Sequence, residues 1–171
     1  MGGATGQKGA WELDAEEGGR LAARWWQWAF SAPDACSPVL DETGEFADWQ
    51  QPDDVWFLAG TYGGRVVRRC SVPVGRPVFF PVFNTQRPAL LSSRPAMMNV
   101  AEATAFLNGT PLTLHEYTSP RFRAGLVPRV AWGLWSALAP LAPGQYVLEI
   151  KADTGDGFRV DTTYHLSVAA S

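Results

Sequence analysis

Apolar and polar residues alternate most cleanly towards the end of the chain. Tyr146, Leu148 and Ile150 take turns with Val147, Glu149 and Lys151. After Asp153–Gly157, the set Phe158, Val160, Thr162, Tyr164, Leu166 and Val168 takes turns with Arg159, Asp161, Thr163, His165 and Ser167. A period of two puts one set on a buried face and the other in water. The pattern predicts two antiparallel strands joined by a hairpin loop at Asp153–Gly157 and preceded by a Pro143-Gly144 turn.

Near the other end the period changes. Leu21, Trp25 and Trp28 recur at helical spacing, with Ala22, Trp26 and Ala29 alongside, while Arg20, Arg24 and Gln27 fall on the opposite side. Asp14 and Glu17 have capping-box spacing, and Pro33 stops the helix by about Ser31. Gly18 and Gly19 weaken its first turn.

Between these ends the signals are shorter. Residues 32–54 read as a loop. Val55–Ala59 is continuously apolar and predicts a strand buried on both faces. Residues 65–72 form a second strand, and Gly63-Gly64 predicts a hairpin between the two. Val78–Phe83 is a third strand, with Pro81 marking a bulge or an edge. Residues 85–96 are irregular. Val100–Leu107 reads as a short second helix, capped by Asn99 and ended by Asn108-Gly109. Leu112–Tyr117 is a short strand, residues 118–129 a loop, and Val130–Leu138 a strand or short helix. No internal repeat is evident. The elements add up to a mainly antiparallel β-sandwich, jelly-roll-like or closed as a flattened barrel, with an amphipathic Trp-rich helix at its start.

Composition narrows the classes. A length of 171 residues suits one domain, read as residues 11–171 after a Gly-rich flexible tail at 1–10. A net charge of −3 excludes nucleic acid as the main partner. Eight Trp and nine Phe imply a bulky core or an aromatic-lined cavity. Cys36 and Cys70 lie far apart with no CxxC, which reads as free thiols rather than a zinc or redox motif, with a disulfide between them only in an oxidising compartment and where geometry permits. No apolar run is long enough to span a membrane, and no h-region opens the chain. The expected compartment is the cytoplasm, with export if a leader was trimmed.

Trp25-Trp-Gln-Trp-Ala29, Val55-Trp-Phe-Leu-Ala-Gly60, Arg69-Cys-x-Val-Pro-x-Gly75 and Phe80-Pro-Val-Phe-Asn84 resemble a family of uncharacterised bacterial proteins. The resemblance covers roughly residues 20–84 and the Tyr164–Val168 strand. It implies a β-rich body, and often an export signal, which is not read in residues 1–10. It implies no catalytic residue.

Candidate chemistry is sparse. If Leu112 and Leu114 face the core, Glu116 shares their face, and His115 and Tyr117 share the other. A carboxylate on an apolar face suits acid–base work. Glu116, His115 and Tyr117 are therefore the catalytic candidates, against the plainer reading that Glu116 sits in solvent. Trp25, Trp26 and Trp28 would wall a pocket with Trp56, Trp132 or Trp135, or else simply dock the helix. Asn84 would orient a carbonyl or satisfy loop backbone. Arg121 and Arg123 would clamp a carboxylate or stand solvated. His165 falls on the wet face. Asp41, Glu42, Glu45, Asp48, Asp53 and Asp54 crowd one loop without EF-hand spacing, so no metal site is assigned. No cofactor motif occurs.

Three readings follow. The first is a cofactor-independent enzyme of natural-product metabolism that cyclises, isomerises or hydrates a lipophilic small molecule. The second is a non-catalytic glycan- or protein-binding module. The third is a purely structural domain.

Overall fold

The computed structural model describes residues 9–90, 94 and 97–170. Most of the tail thus lies outside the described residues, as does part of the segment read as irregular. Gly9 and Ala10 are not free: Ala10 bridges Leu138, and the Ala139 N–H donates to the Gly9 carbonyl.

Helix α1 spans Ala15–Ser31 and opens on the expected capping box. The Glu17 N–H donates to Asp14 Oδ1 at 2.8 Å, and the Asp14 N–H donates to Glu17 Oε2 at 3.0 Å. After it the chain makes one 3₁₀ turn at Asp34–Cys36 and a long loop. Among the described residues ten strands follow: β1 Trp56–Phe57, β2 Gly64–Ser71, β3 Val78–Pro88, β4 Glu102–Leu107, β5 Thr110–Pro111, β6 His115–Thr118, β7 Phe122–Ala124, β8 Val127–Leu138, β9 Gly144–Asp153 and β10 Arg159–Val168.

The strands make two five-stranded sheets. The first runs β1-β3-β8-β6, with β7 also paired to β8. The second runs β2-β10-β9-β4-β5. The β1–β3 and β2–β10 pairs are parallel and the others antiparallel. The chain is thus mainly β, a sandwich with α1 laid over the outer face of the first sheet.

Two cores result. One fills the space between the sheets, with Phe80, Val82, Trp132, Leu148, Ile150 and Leu166 among its members. The other lies between the first sheet and α1, where Trp25, Trp28, Phe57, Phe79 and Trp135 meet. The first sheet is therefore buried on both faces. That is why Trp56–Phe57, Val78–Phe83 and Val130–Trp135 read as unbroken apolar runs, whereas β10 alternates.

Three expectations need correction. Val100–Leu107 is strand β4, not a second helix: its side chains alternate, with Ala103, Ala105 and Leu107 turned to the inter-sheet core. Asn108 and Gly109, at φ 50° and 79°, form the two-residue loop to β5. Asn-Gly with both φ positive is the signature of a type I′ hairpin turn rather than of a helix end. Gly63-Gly64 does not join a hairpin, because β1 and β2 belong to different sheets and each pairs in parallel elsewhere. The segments at 85–96 and 118–129 contain structure: β3 continues to Pro88, and β7 occupies Phe122–Ala124. Pro81 marks a bulge opposite β8, with β3 inside the sheet.

The glycines at the start of α1 have a packing reason. A Cβ on Gly18 would lie 2.3 Å from the Tyr117 ring, and one on Gly19 would lie 2.4 Å from the Thr118 carbonyl oxygen. The helix rests on β6 at a distance that only glycine permits.

Candidate functional site

The expected acid–base group lies on β6. Its parity is as read: His115 and Tyr117 share one face, their rings stacked at 5.9 Å, and Glu116 takes the other. The setting differs. Glu116 is exposed and accepts a hydrogen bond from the Trp132 indole N–H at 2.7 Å. His115 is exposed as well. Tyr117 is buried beneath α1, where burial, and then the Asp14 and Glu17 carboxylates, push its phenol up. The three groups do not converge on a common cavity.

The indoles are used mostly as packing. Trp28 lies in the helix–sheet core, and its N–H donates to the Trp49 carbonyl at 2.6 Å. Trp56 and Trp132 lie in the inter-sheet core, and Trp135 lies under the helix. Among the described tryptophans none is exposed, so no row of indole faces is offered to a sugar.

Trp25 differs because one of its edges reaches a cleft. With Trp26, Val39, Gly60, Thr61, Tyr62, Asn84 and Phe158 it lines a cavity of about 150 Å³ where α1, β3 and the loop after β1 meet the start of β10. Its own N–H is used, donating to the Leu58 carbonyl at 2.9 Å. Trp26 stands edge-on to Trp25 at 5.0 Å. Its Nε1 is buried without a partner, and so is Nδ2 of Asn84. Two shielded donors without acceptors thus belong to residues lining one aromatic cleft. Each costs about 1–3 kcal/mol when left unmade; Trp56, Trp135, Tyr117 and Thr162 hold such atoms too, but those four residues lie outside the cleft.

Asn84 reaches the cleft because of the bulge between Pro81 and Phe83. Val82 and Phe83 both face the inter-sheet core, which turns Asn84 towards the helix. Gly133, its partner on β8, is required there: a Cβ would lie 2.8 Å from that of Asn84.

The rim is held by a residue that pattern reading passed over. Arg68 is 1% exposed. Its Nε donates to the Asp41 carbonyl at 2.7 Å, Nη2 to Val39 at 3.0 Å, and Nη1 to Ala59 and Gly60, each at 3.0 Å, as well as to the Tyr164 hydroxyl at 2.9 Å. Tyr164 in turn donates to the Ala59 carbonyl at 2.8 Å. One guanidinium therefore ties both rim segments, at Val39 and Gly60, to the second sheet. Its signal lay in the parity of β2, where Val66, Arg68 and Cys70 share the inward set. Trp26 was among the indoles read as a pocket wall and does line the cleft, whereas Tyr62 and Phe158 were passed over; Phe158 was legible as the first inward position of its strand.

The remaining candidates lie elsewhere. Arg121 and Arg123 are exposed on either side of the buried Phe122 on β7. Asp41 is buried, which works against its charge. Hydrogen bonds from Thr43, Phe46 and Gly44 outweigh that and hold the carboxyl below its usual range. Among the described residues no three His, Cys, Asp or Glu side chains converge as a metal site, and both cysteines are free. Among the described residues no helix is long and apolar enough to cross a membrane. Compared with known proteins, the chain matches no family model, no curated protein and no solved structure.

Proposed function

We propose that this chain is a small-molecule-binding domain whose ligand sits in the cleft at Trp25, Trp26, Tyr62, Asn84 and Phe158. The observation that carries the reading is the pair of unpartnered donors, Trp26 Nε1 and Asn84 Nδ2, on residues of one aromatic cavity. Apolar walls with a few fixed polar groups are the usual form of a small-ligand site.

Size limits the ligand. A volume of about 150 Å³ is half the lower bound for pockets that take drug-sized molecules, and matches a cavity that accepts benzene. The ligand is therefore about one ring in size and uncharged, with a carbonyl or similar acceptor. Asn84 Nδ2 is shielded, so rotation of the terminal amide accompanies binding. A large lipophilic substrate does not suit this volume. Glu116, His115 and Tyr117 do not line the cleft, and its walls carry no carboxylate or imidazole. Both facts favour binding over acid–base turnover.

The test compares acetophenone with ethylbenzene, which lacks only the carbonyl. Saturation-transfer NMR should show both bound, acetophenone more tightly, with Asn84→Leu erasing the difference and Trp26→Phe weakening acetophenone. Equal binding of the two by the wild-type chain, or none, overturns the reading.

A further inference from the structure

The arginines are unevenly placed. No Asp or Glu occurs between Asp54 and Glu102, nor between Glu116 and Glu149. The fold brings these two acid-free stretches together, because β3 and β7 come from them and both pair with β8. One corner of the first sheet, where β3 ends and the β7–β8 hairpin turns, is thus built without a carboxylate in its strands.

Three features of this corner point outward. Arg121 and Arg123 flank the buried Phe122, so alternation aims both at the face opposite the helix. Among the described residues neither guanidinium makes an ion pair or hydrogen bond. Arg129 nearby is by contrast occupied, donating to Gln86 Oε1 at 2.5 Å and lying over the Phe30 ring. Between Ala124 and Val127 the chain turns through Gly125, at φ 66°, and Leu126. Leu126 stands at the tip and is 90% exposed. The Ala89 N–H donates to the Pro128 carbonyl at 2.8 Å, which brings Leu90, 67% exposed, beside the same hairpin.

We infer that this corner docks on an anionic phospholipid bilayer, with Leu126 and Leu90 entering the interface and Arg121 and Arg123 meeting separate phosphates. Two arginines two positions apart on a strand sit about 6.5–7 Å apart at Cα, and the open hollow they line is completed by Phe122 and Pro128 rather than by a third charged or polar side chain. That spacing suits two head groups on a surface better than one small carboxylate. The side chain at the hairpin tip, Leu126, is aliphatic, which gains nothing on a nucleic-acid backbone but gains by leaving water at a lipid interface. The contact is transient, because two charges and two aliphatic side chains fall well short of an anchor.

Co-sedimentation of the full chain with vesicles tests this. Phosphatidylcholine vesicles with roughly a third phosphatidylserine should retain the protein at low salt, and pure phosphatidylcholine should not. Each arginine is expected to contribute roughly fivefold to the partition, so R121Q/R123Q should lower it more than tenfold. Leu126→Ser should lower it several-fold with the melting temperature unchanged. Retention that ignores these variants overturns the proposal. So does absence of vesicle binding, including the case in which an acidic peptide or a nucleic acid is retained instead.

Discussion

The side-chain amide of Gln51 clasps Phe57 at both of its backbone groups. Gln51 Oε1 accepts from the Phe57 N–H at 2.8 Å, and Nε2 donates to the Phe57 carbonyl at 2.8 Å. Phe57 lies in β1, a two-residue strand at the edge of its sheet. The amide imitates the neighbouring strand that β1 lacks. Gln51→Ala leaves both groups unpaired in a part-buried site and should cost about 1–3 kcal/mol. Urea unfolding measures it, and a midpoint equal to wild type would mean water replaces the amide fully.

Arg68 should be more costly to lose. Its acceptors are four carbonyls and a phenol, all drawn to one planar fork. Arg68→Lys offers a point charge in place of the fork and cannot reach them all. A loss of about 3 kcal/mol or more is expected for Arg68→Met, with Arg68→Lys recovering only part. Thermal and urea unfolding of the two variants decide this.

Gly19→Ala gives an opposite sign to that of helix propensity. Alanine in an exposed helix would stabilise by about 1 kcal/mol. Here its methyl meets the Thr118 carbonyl oxygen, a backbone atom that cannot swing away. The variant should therefore melt below wild type. A higher melting temperature would show that helix and sheet can separate at no cost.

Alkaline conditions should loosen the inter-sheet core. Burial pushes the Tyr164 phenol up to about 12 from an ordinary value near 10, and the Cys70 thiol up to about 12 from near 9. The folded state holds both protons longer than the unfolded state. The stability they contribute is complete below their unfolded values and falls as pH rises towards 12. Between about pH 9 and 12 the slope should reach about 1.4 kcal/mol per pH unit for each group. Urea midpoints across that range should fall, and Tyr164→Phe with Cys70→Ala should flatten the decline.

How much was legible follows from where each signal is local. The Asp14–Glu17 box and the β9–β10 alternation are local, and both stand as read. Val100–Leu107 was misread because its Ala and Glu favour a helix in isolation; what decides is the ladder of Ala103, Ala105 and Leu107 against β9, which is a distant strand. The Gly63-Gly64 turn was misread for the same reason, since both partners of β1 and β2 lie far along the chain. Asn84 was singled out, but its cleft was not legible: it is made by Trp25, Val39, Gly60 and Phe158, brought together only by the fold. The β6 candidates rested on parity. Parity fixes a face and says nothing about whether that face is covered at that point.

The parallel pairing of β2 with β10 bears on how the chain is born. Gly64–Ser71 is made before β3 to β9 and lies beside Val160–Ser167, which are made after them. While the rest emerges, β2 has no ladder, and the guanidinium of Arg68 has no Tyr164 to meet. The second sheet therefore closes as a late, non-local event, of the kind that slows folding. A nascent chain halted before Arg159 would carry a bare strand with an inward-facing charge, and would be a substrate for chaperones and proteases until β10 arrived.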